Sequence, residues 1–491
     1  MQAEHVDVLI IGAGLSGVGA GCHLQMQCPG KTYAVLEGRA TMGGTWDLFR
    51  YPGIRSDSDM YTLGYIFRPW QEAKAIADGP SILKYIKDTA AEYGVDKHIR
   101  YQHKVVSADW SSADAMWTVQ VERGPDREPV TFTCGFLFTC SGYYSYESGY
   151  TPEFANREAF HGQIVHPQFW PEKLDTAGKR IVVIGSGATA VTLVPALTKD
   201  AAHVTMLQRS PSYVASRPAE DEFANRLRRH LPAKLAYSII RWRNVMLQLF
   251  LYRLARRKPA EFKQRLIHLV SKELGPDYDV KTHFTPKYNP WDQRLCLVPD
   301  SDLFAVIKSG QASVVTDTIE GFTETGLKLT SGQELPADIV VTATGLRMQI
   351  LSGMTISVDG ARVDFGKTMS YKGMMYSDVP NLATSFGYTN ASWTLKADLT
   401  CAYVCRMLNY MDQRGYVEAR PKRDETVQEA PFLDFSSGYV QRALAELPRQ
   451  GMKRPWKLHQ NYALDVLMLR FGKLDDGTMV WKRRAQARKA A

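Results

Sequence analysis

The sequence predicts an α/β protein in which two parallel-sheet units share one chain and are interrupted by a basic helical segment. Three observations carry this prediction: a strand, glycine loop and helix at residues 7–37, the same plan at 180–209, and a concentration of cationic helix between 225 and 268. Strands that alternate with helices pack as a parallel sheet covered by its crossovers.

Bulk properties narrow the class before any motif is read. With 491 residues, 45% hydrophobic and 23% charged, the chain can bury two or three cores and is neither fibrous nor disordered. No apolar run approaches the roughly 20 residues that span a bilayer. From Met1 the chain passes Glu4 and Asp7 into Val8–Ile11 without a basic leader region or small-residue cleavage site, so no secretory signal is expected. The seven cysteines, at 22, 28, 134, 140, 296, 401 and 405, lack metal-ligand spacing and sit mostly among apolar residues. Reduced thiols in the cytoplasm are the simplest reading, with Cys401 and Cys405 on one face of a core helix.

The first unit opens with the apolar run Asp7–Ile11, a buried strand. The turn Gly12-Ala13-Gly14-Leu15-Ser16-Gly17 follows, then a helix to Gln27 and a second strand, Tyr33–Leu36, ending at Glu37. Gly12 permits the tight turn, Gly14 lets backbone approach a pyrophosphate, and Gly17 allows close helix packing. The helix start, with Ser16 in its first turn, offers N–H groups and a positive dipole end. Glu37 stands where a carboxylate accepts from ribose hydroxyls. A lone glycine loop says little; strand, loop, helix, strand and acid in register specify a Rossmann-like dinucleotide site.

The second unit repeats the plan: strand Arg180–Ile184, loop Gly185-Ser186-Gly187-Ala188-Thr189-Ala190, a helix through Val191 to Leu197, and strand His203–Leu207 running into Gln208-Arg209-Ser210. A carboxylate at that strand end would repel a 2′-phosphate, whereas Arg209 can pair with it. Arg217 is a competing ligand. The acidic first site and basic second site together suggest FAD followed by NADPH, and two such cofactors in one chain mean electron transfer.

Two further apolar runs, Phe136–Gly142 and Asp338–Gly345, read as buried strands ending in small-residue turns. The expected division is an FAD-binding domain from 1–145 and 380–491, and an NADP-binding domain from 146–212 and 285–379. A basic helical insert, 213–284, lies within the second. Between Asn225 and His268 twelve Lys or Arg face Glu261 alone, on stretches such as 235–242 and 247–254 that read as helices with apolar and basic faces. The preferred reading is a solvated basic face; the alternative is peripheral contact with an anionic membrane. No nucleic-acid-binding motif accompanies the charge.

Between the two loops lies Phe160-His161-Gly162-Gln163-Ile164-Val165-His166-Pro167-Gln168-Phe169-Trp170-Pro171, of the form FxGxxxHxxxWP. After Glu37 come Met42-Gly43-Gly44-Thr45-Trp46-Asp47 and Arg50-Tyr51-Pro52-Gly53-Ile54-Arg55-Ser56-Asp57. Together with Tyr288–Cys296 and Thr389–Asp398, these resemble the Baeyer-Villiger monooxygenases over nearly the whole chain. Two minor departures are Cys140-Ser141-Gly142, where ATG is commoner at the first crossing, and a C-terminus that is basic and short. The resemblance implies NADPH- and O2-dependent monooxygenation through a C4a-peroxyflavin, turning ketones into esters or lactones and oxidising sulfides or thioamides. It implies that Thr45, Trp46, Asp47 and Leu48 contact FAD, with Val105 at the adenine. Asp57 would face the active site, with Arg55 and Ser56 beside NADP, and Arg294 would be the catalytic arginine. A fixed guanidinium there would stabilise the anionic peroxide and the oxyanion formed by its attack. His166 suits a hydrogen-bonding element of the interdomain joint better than a proton carrier. The final helix, with Ser392 as its cap, would aim its N-terminus at the flavin.

Three other readings compete. One is a flavin monooxygenase restricted to N- or S-oxygenation. A pyridine-nucleotide disulfide reductase fits poorly because Cys22 and Cys28 have the wrong spacing for a flavin-facing redox pair. A non-enzymatic membrane-binding protein rests on the basic segment alone. The physiological substrate and the oligomeric state are not legible in the sequence.

Overall fold

The computed structural model describes residues 3–293 and 295–483. Strand Glu4–Ile11 is apolar on both faces from Val8 onward and sits centrally in a nine-stranded sheet, flanked in parallel by Tyr33–Leu36 and Glu128–Thr139. Near-continuous apolar runs of this kind are what a strand covered on both faces needs. Helix Leu15–Gln27 crosses over one face and packs on the C-terminal helix Trp393–Arg414, enclosing the largest core. Strand Leu382–Thr384 returns to this sheet beside Glu128–Thr139.

The second sheet has five parallel strands, with Arg180–Ile184 between His203–Gln208 and Ile339–Thr342, and Gln163–Val165 at one edge. Helix Ala188–Leu197 covers it and contributes Val191, Leu193 and Val194 to a separate core. The first turn of each crossover helix begins at a glycine, Gly14 or Gly187, with no side chain capping it. Those N–H groups are therefore left for another acceptor.

Two short segments join the sheets: Tyr144–Gly149 pairs antiparallel with Leu346–Met348. The return to the first sheet follows directly, because Thr355–Val358 pairs in parallel with His103–Ser111. Residues 355–379 thus pack with the first unit rather than the second, earlier than the expected return at 380. Ile356, Tyr376 and Val379 are buried in the first sheet's core, and that burial draws the chain back.

The insert also differs from expectation. The stretches read as separate helices form one, Ala233–Arg257, followed by Pro259–Leu274. No proline or glycine interrupts residues 233–257, so the helix continues until Lys258, whose helical conformation Pro259 disfavours. The long helix docks on the first unit, burying Ala236, Tyr237, Ile240, Val245 and Leu249 in its core. No helix among the described residues is long and apolar enough to cross a membrane.

Candidate active site

A single cleft of about 1110 Å³ runs between the two sheets and receives both glycine loops. At its first end lie Gly12, Gly14, Ser16 and Glu37; at its second, Gly185, Ser186, Gly187, Ala188, Thr189 and Arg209. Gly12 has φ +97°, and an added Cβ would lie 2.9 Å from Cys140 O. Gly17 is buried beneath the loop, where a Cβ would meet Gly12 O at 1.8 Å. Around Gly187 nothing lies within 4 Å of the corresponding position. Bare backbone, open space and uncapped helix starts are the donor set a dinucleotide pyrophosphate requires, so the residues fit such groups at both loops.

Glu37 is buried, and its two carboxylate oxygens accept from Ala13 N at 2.8 Å and Arg39 N at 2.9 Å. Burial pushes its pKa up despite those bonds. It holds the loop as well as facing the cleft. Thr45, Trp46 and Val105 also line the cleft, whereas Asp47 and Leu48 do not. Asp47 instead braces the glycine turn through Arg39 at 2.7 Å and Thr41 at 2.6 Å. Burial raises its pKa, but Thr41, Arg39 and Arg50 outweigh that and leave it low. Leu48 packs against the second core.

In the second loop, Ala190 and Val191 are buried in the helix and lie off the cleft. Gln208 points into the protein: its Nε2 donates to His283 O at 2.7 Å and Thr316 Oγ1 at 2.9 Å. Gln208, expected from the sequence to contact the coenzyme, thus spends its amide donors on neighbours, as a buried amide does. Arg209 is exposed on the cleft wall, while Arg217 is not part of the lining. Asp317 shares this end, its pKa lowered by Ser331 and by the Thr318 backbone.

The turn at Tyr51–Asp57 bridges the two units. Gly53, at φ +76°, lies so close to helix Ala188–Leu197 that a Cβ would be 2.8 Å from Ala196 Cβ. Tyr51 is buried, its hydroxyl pKa pushed up to about 12 by burial even though Thr189 hydrogen-bonds to it. Arg55 pairs with Asp302 at 2.5 Å and lines the cleft beside Ser56 and Asp57; its Nε is buried without a partner among the described residues. Arg294 lies outside the described residues. Its neighbours Gln293, Cys296 and Leu297 line the cleft. The preceding loop is held by the insert: Asp292 pairs with Arg256 at 2.7 Å, and its carbonyl accepts from Ser436 N at 2.9 Å.

His166 does not line the cleft; it sits under the two crossing segments. Its Nδ1 accepts from Gln168 N at 3.2 Å and Nε2 lies 3.4 Å from Gly345 O, with burial lowering its pKa. Ser392 occupies the cap position of the C-terminal helix, yet its hydroxyl meets Thr62 Oγ1 at 2.6 Å instead of capping. That helix start therefore remains a donor, and Trp393 beside it lines the cleft while donating to Ser16 Oγ at 2.7 Å.

Sequence reasoning missed an aromatic wall made by Tyr143, Tyr146, Tyr388 and Tyr439, and Arg442, which lies 3.5 Å over the Tyr150 ring. The tyrosines at 143–150 were visible as a cluster, but nothing in their spacing said which would face inward.

Two glycine-loop units facing one cleft, with an arginine-bearing turn between them, define a pyridine-nucleotide-linked flavoprotein oxidoreductase. Residues 75–369 match the flavin-binding monooxygenase-like family and residues 10–73 match an NAD(P)-binding Rossmann-like domain. The chain belongs to the flavin-binding monooxygenase-like family and is a flavin monooxygenase. It is 57% identical to the FAD-containing monooxygenase EthA of Mycobacterium tuberculosis over 479 residues, 97% of each chain. It is 49% identical to the probable FAD-binding monooxygenase AlmA of Acinetobacter baylyi, covering 97% of this chain and 96% of that one. The fold is similar to that of an oxidized steroid monooxygenase bound to NADP, at TM-score 0.77 and 22% identity over 98% of this chain and 100% of the other.

Proposed function

We propose that this monooxygenase uses FAD, NADPH and O2 to convert ketones to esters or lactones and to oxygenate sulfides. One observation carries the reading: both uncapped glycine loops, the Arg55–Asp57 turn and Gln293, Cys296 and Leu297 meet in one cleft. When bound, the flavin passes two electrons from NADPH to O2, of which one atom enters the substrate and the other leaves as water.

The chain's own groups bind and orient. The first-turn N–H groups after Gly14 and Gly187 would hold the two pyrophosphates, and Arg209 would pair with the 2′-phosphate. Arg55, kept in place by Asp302, would lie beside the nicotinamide. Arg294 stabilises the negative charge that grows on the substrate oxygen, an effect that is larger where water is excluded. Asp57 orients that guanidinium. His166 holds the interdomain joint and moves no proton. The basic insert gives the protein a peripheral contact with a membrane surface.

The test is product analysis on the flavin-loaded protein, with a simple ketone and a sulfide, beside Arg294→Ala. The variant is expected to keep reduction of flavin by NADPH while ester formation falls by at least about 100-fold, the usual cost of losing an oxyanion-stabilising donor. Unchanged ketone turnover would remove Arg294 from the reaction. Sulfoxide without any ester from the wild type would favour the heteroatom-restricted alternative.

A further inference from the structure

The insert helix Ala233–Arg257 is apolar on two opposite sides. One side is buried against the first unit through Tyr237, Ile240 and Val245. On the other, Leu235, Ile239, Trp242, Met246 and Phe250 recur at spacings of three and four and are each between 40% and 62% exposed. Residues three and four apart share a helix face, so these five form one row. At about 1.5 Å per residue the row is roughly 22 Å long. A contiguous apolar strip of that length is not the solvated face of an ordinary charged helix.

The charge around the row is mainly positive. Lys234, Arg253 and Arg257 are exposed on the same helix, and Arg226 and Arg229, beside a single exposed Glu222, on the helix before it. Tyr462 packs on Trp242 with ring centroids 5.5 Å apart, and its short helix leads to the exposed Leu467, Arg470 and Phe471. Apolar side chains bordered by arginine and lysine match a boundary where acyl chains lie beneath anionic headgroups. A protein partner would need a matching acidic surface around an apolar groove; a bilayer offers both layers without one.

We infer that the outward row of the insert helix enters the surface of an anionic lipid bilayer, with the flanking cations on the headgroups. This rests on the peripheral-contact reading above and deepens it, because the row rather than net charge sets the affinity. In the last turn of the same helix, Arg256 holds Asp292 beside the cleft-lining Gln293. Docking therefore places the substrate loop near the lipid surface, which fits ketones and sulfides dissolved in the bilayer.

The test is vesicle flotation of the flavin-loaded full-length protein, with phosphatidylglycerol–phosphatidylcholine vesicles and with pure phosphatidylcholine. A Met246→Glu/Phe250→Glu variant is compared with Lys234→Ala/Arg253→Ala. The wild type should float with the anionic vesicles, less at high salt, and the glutamate pair should reduce bound protein at least about 10-fold, since charge at an acyl boundary is costly. Turnover of a water-soluble ketone without vesicles should be unchanged in both variants. A wild type that floats with neither vesicle ends both the peripheral-contact reading and the inference. Flotation retained by the glutamate pair but lost in the alanine pair leaves contact by charge alone and overturns the inserted row. Equal binding to neutral vesicles overturns the anionic requirement. A dimer in solution that the glutamate pair dissociates would assign the face to a second copy of the chain.

Discussion

Arg209 is the residue on which coenzyme choice should turn. It stands at the end of strand His203–Gln208, exposed on the cleft wall, while Gln208 beside it is committed to the interior. A charge-assisted bond to a 2′-phosphate is worth about 1.5–3 kcal/mol, roughly 10- to 100-fold in affinity. Arg209→Ala should weaken NADPH by that factor and leave NADH nearly unchanged, as measured by flavin reduction rates at varied coenzyme concentration. Equal losses for both coenzymes would move the phosphate contact elsewhere. Individual residues were legible where backbone geometry forces a residue type: at Gly12 and Gly17 a Cβ would collide with neighbouring backbone. Asp47 and Gln208 were less legible, because a polar side chain next to a loop can turn either way. The neighbours that decide it, Arg39 and His283, are set by the fold rather than by adjacency.

At the scale of elements, the insert helix is fixed to the first unit by a buried ion cluster. Arg241 Nη1 donates to Tyr61 O at 2.9 Å and Gly64 O at 2.7 Å, and Nη2 lies 3.4 Å from Asp398 on the C-terminal helix. Asp398 also accepts from Ile66 N at 2.8 Å and pairs with His23 at 3.3 Å. Removing one member of a buried pair leaves the other charge uncompensated, at a cost of about 3–5 kcal/mol. Arg241→Met should destabilise by that amount in urea titration, and Asp398→Leu added to it should restore part of the loss; additive losses would show the two are not coupled. None of this was visible in the chain, where Arg241 was one of twelve cations in a basic segment. Strands and glycine loops announce themselves by period and residue type, so both crossover units were placed to within a few residues. A helix with apolar residues on opposite sides has no single face to read. The early return at Thr355–Val358 was hidden because four residues of a pairing strand carry too little pattern.

For the whole molecule, the question is what the two short crossing segments contribute to holding two sheets at one cleft, beside the Tyr51–Asp57 turn and the docked insert helix. His166 lies across that joint: Gly149 on one segment leaves no room for a Cβ, which would fall 2.0 Å from the ring, and Gly345 O receives Nε2 from the other. With Nδ1 accepting from Gln168 N, the neutral ring protonated at Nε2 satisfies both contacts, and a second proton would abolish the first. Burial lowers the pKa of His166, and it does the same for His283 and His459. Each histidine's folded pKa is thus depressed below its unfolded value near 6.5. Stability from these groups is complete above that unfolded value. It is lost as pH falls towards the folded pKa, because the unfolded chain takes up protons that the native one refuses. The urea midpoint should therefore drop between about pH 7.5 and about pH 5.5. His166→Gln cannot titrate, so it should lower the midpoint at the upper pH yet show a shallower fall between the two. Identical pH slopes in the two proteins would mean that the joint does not depend on the neutral ring.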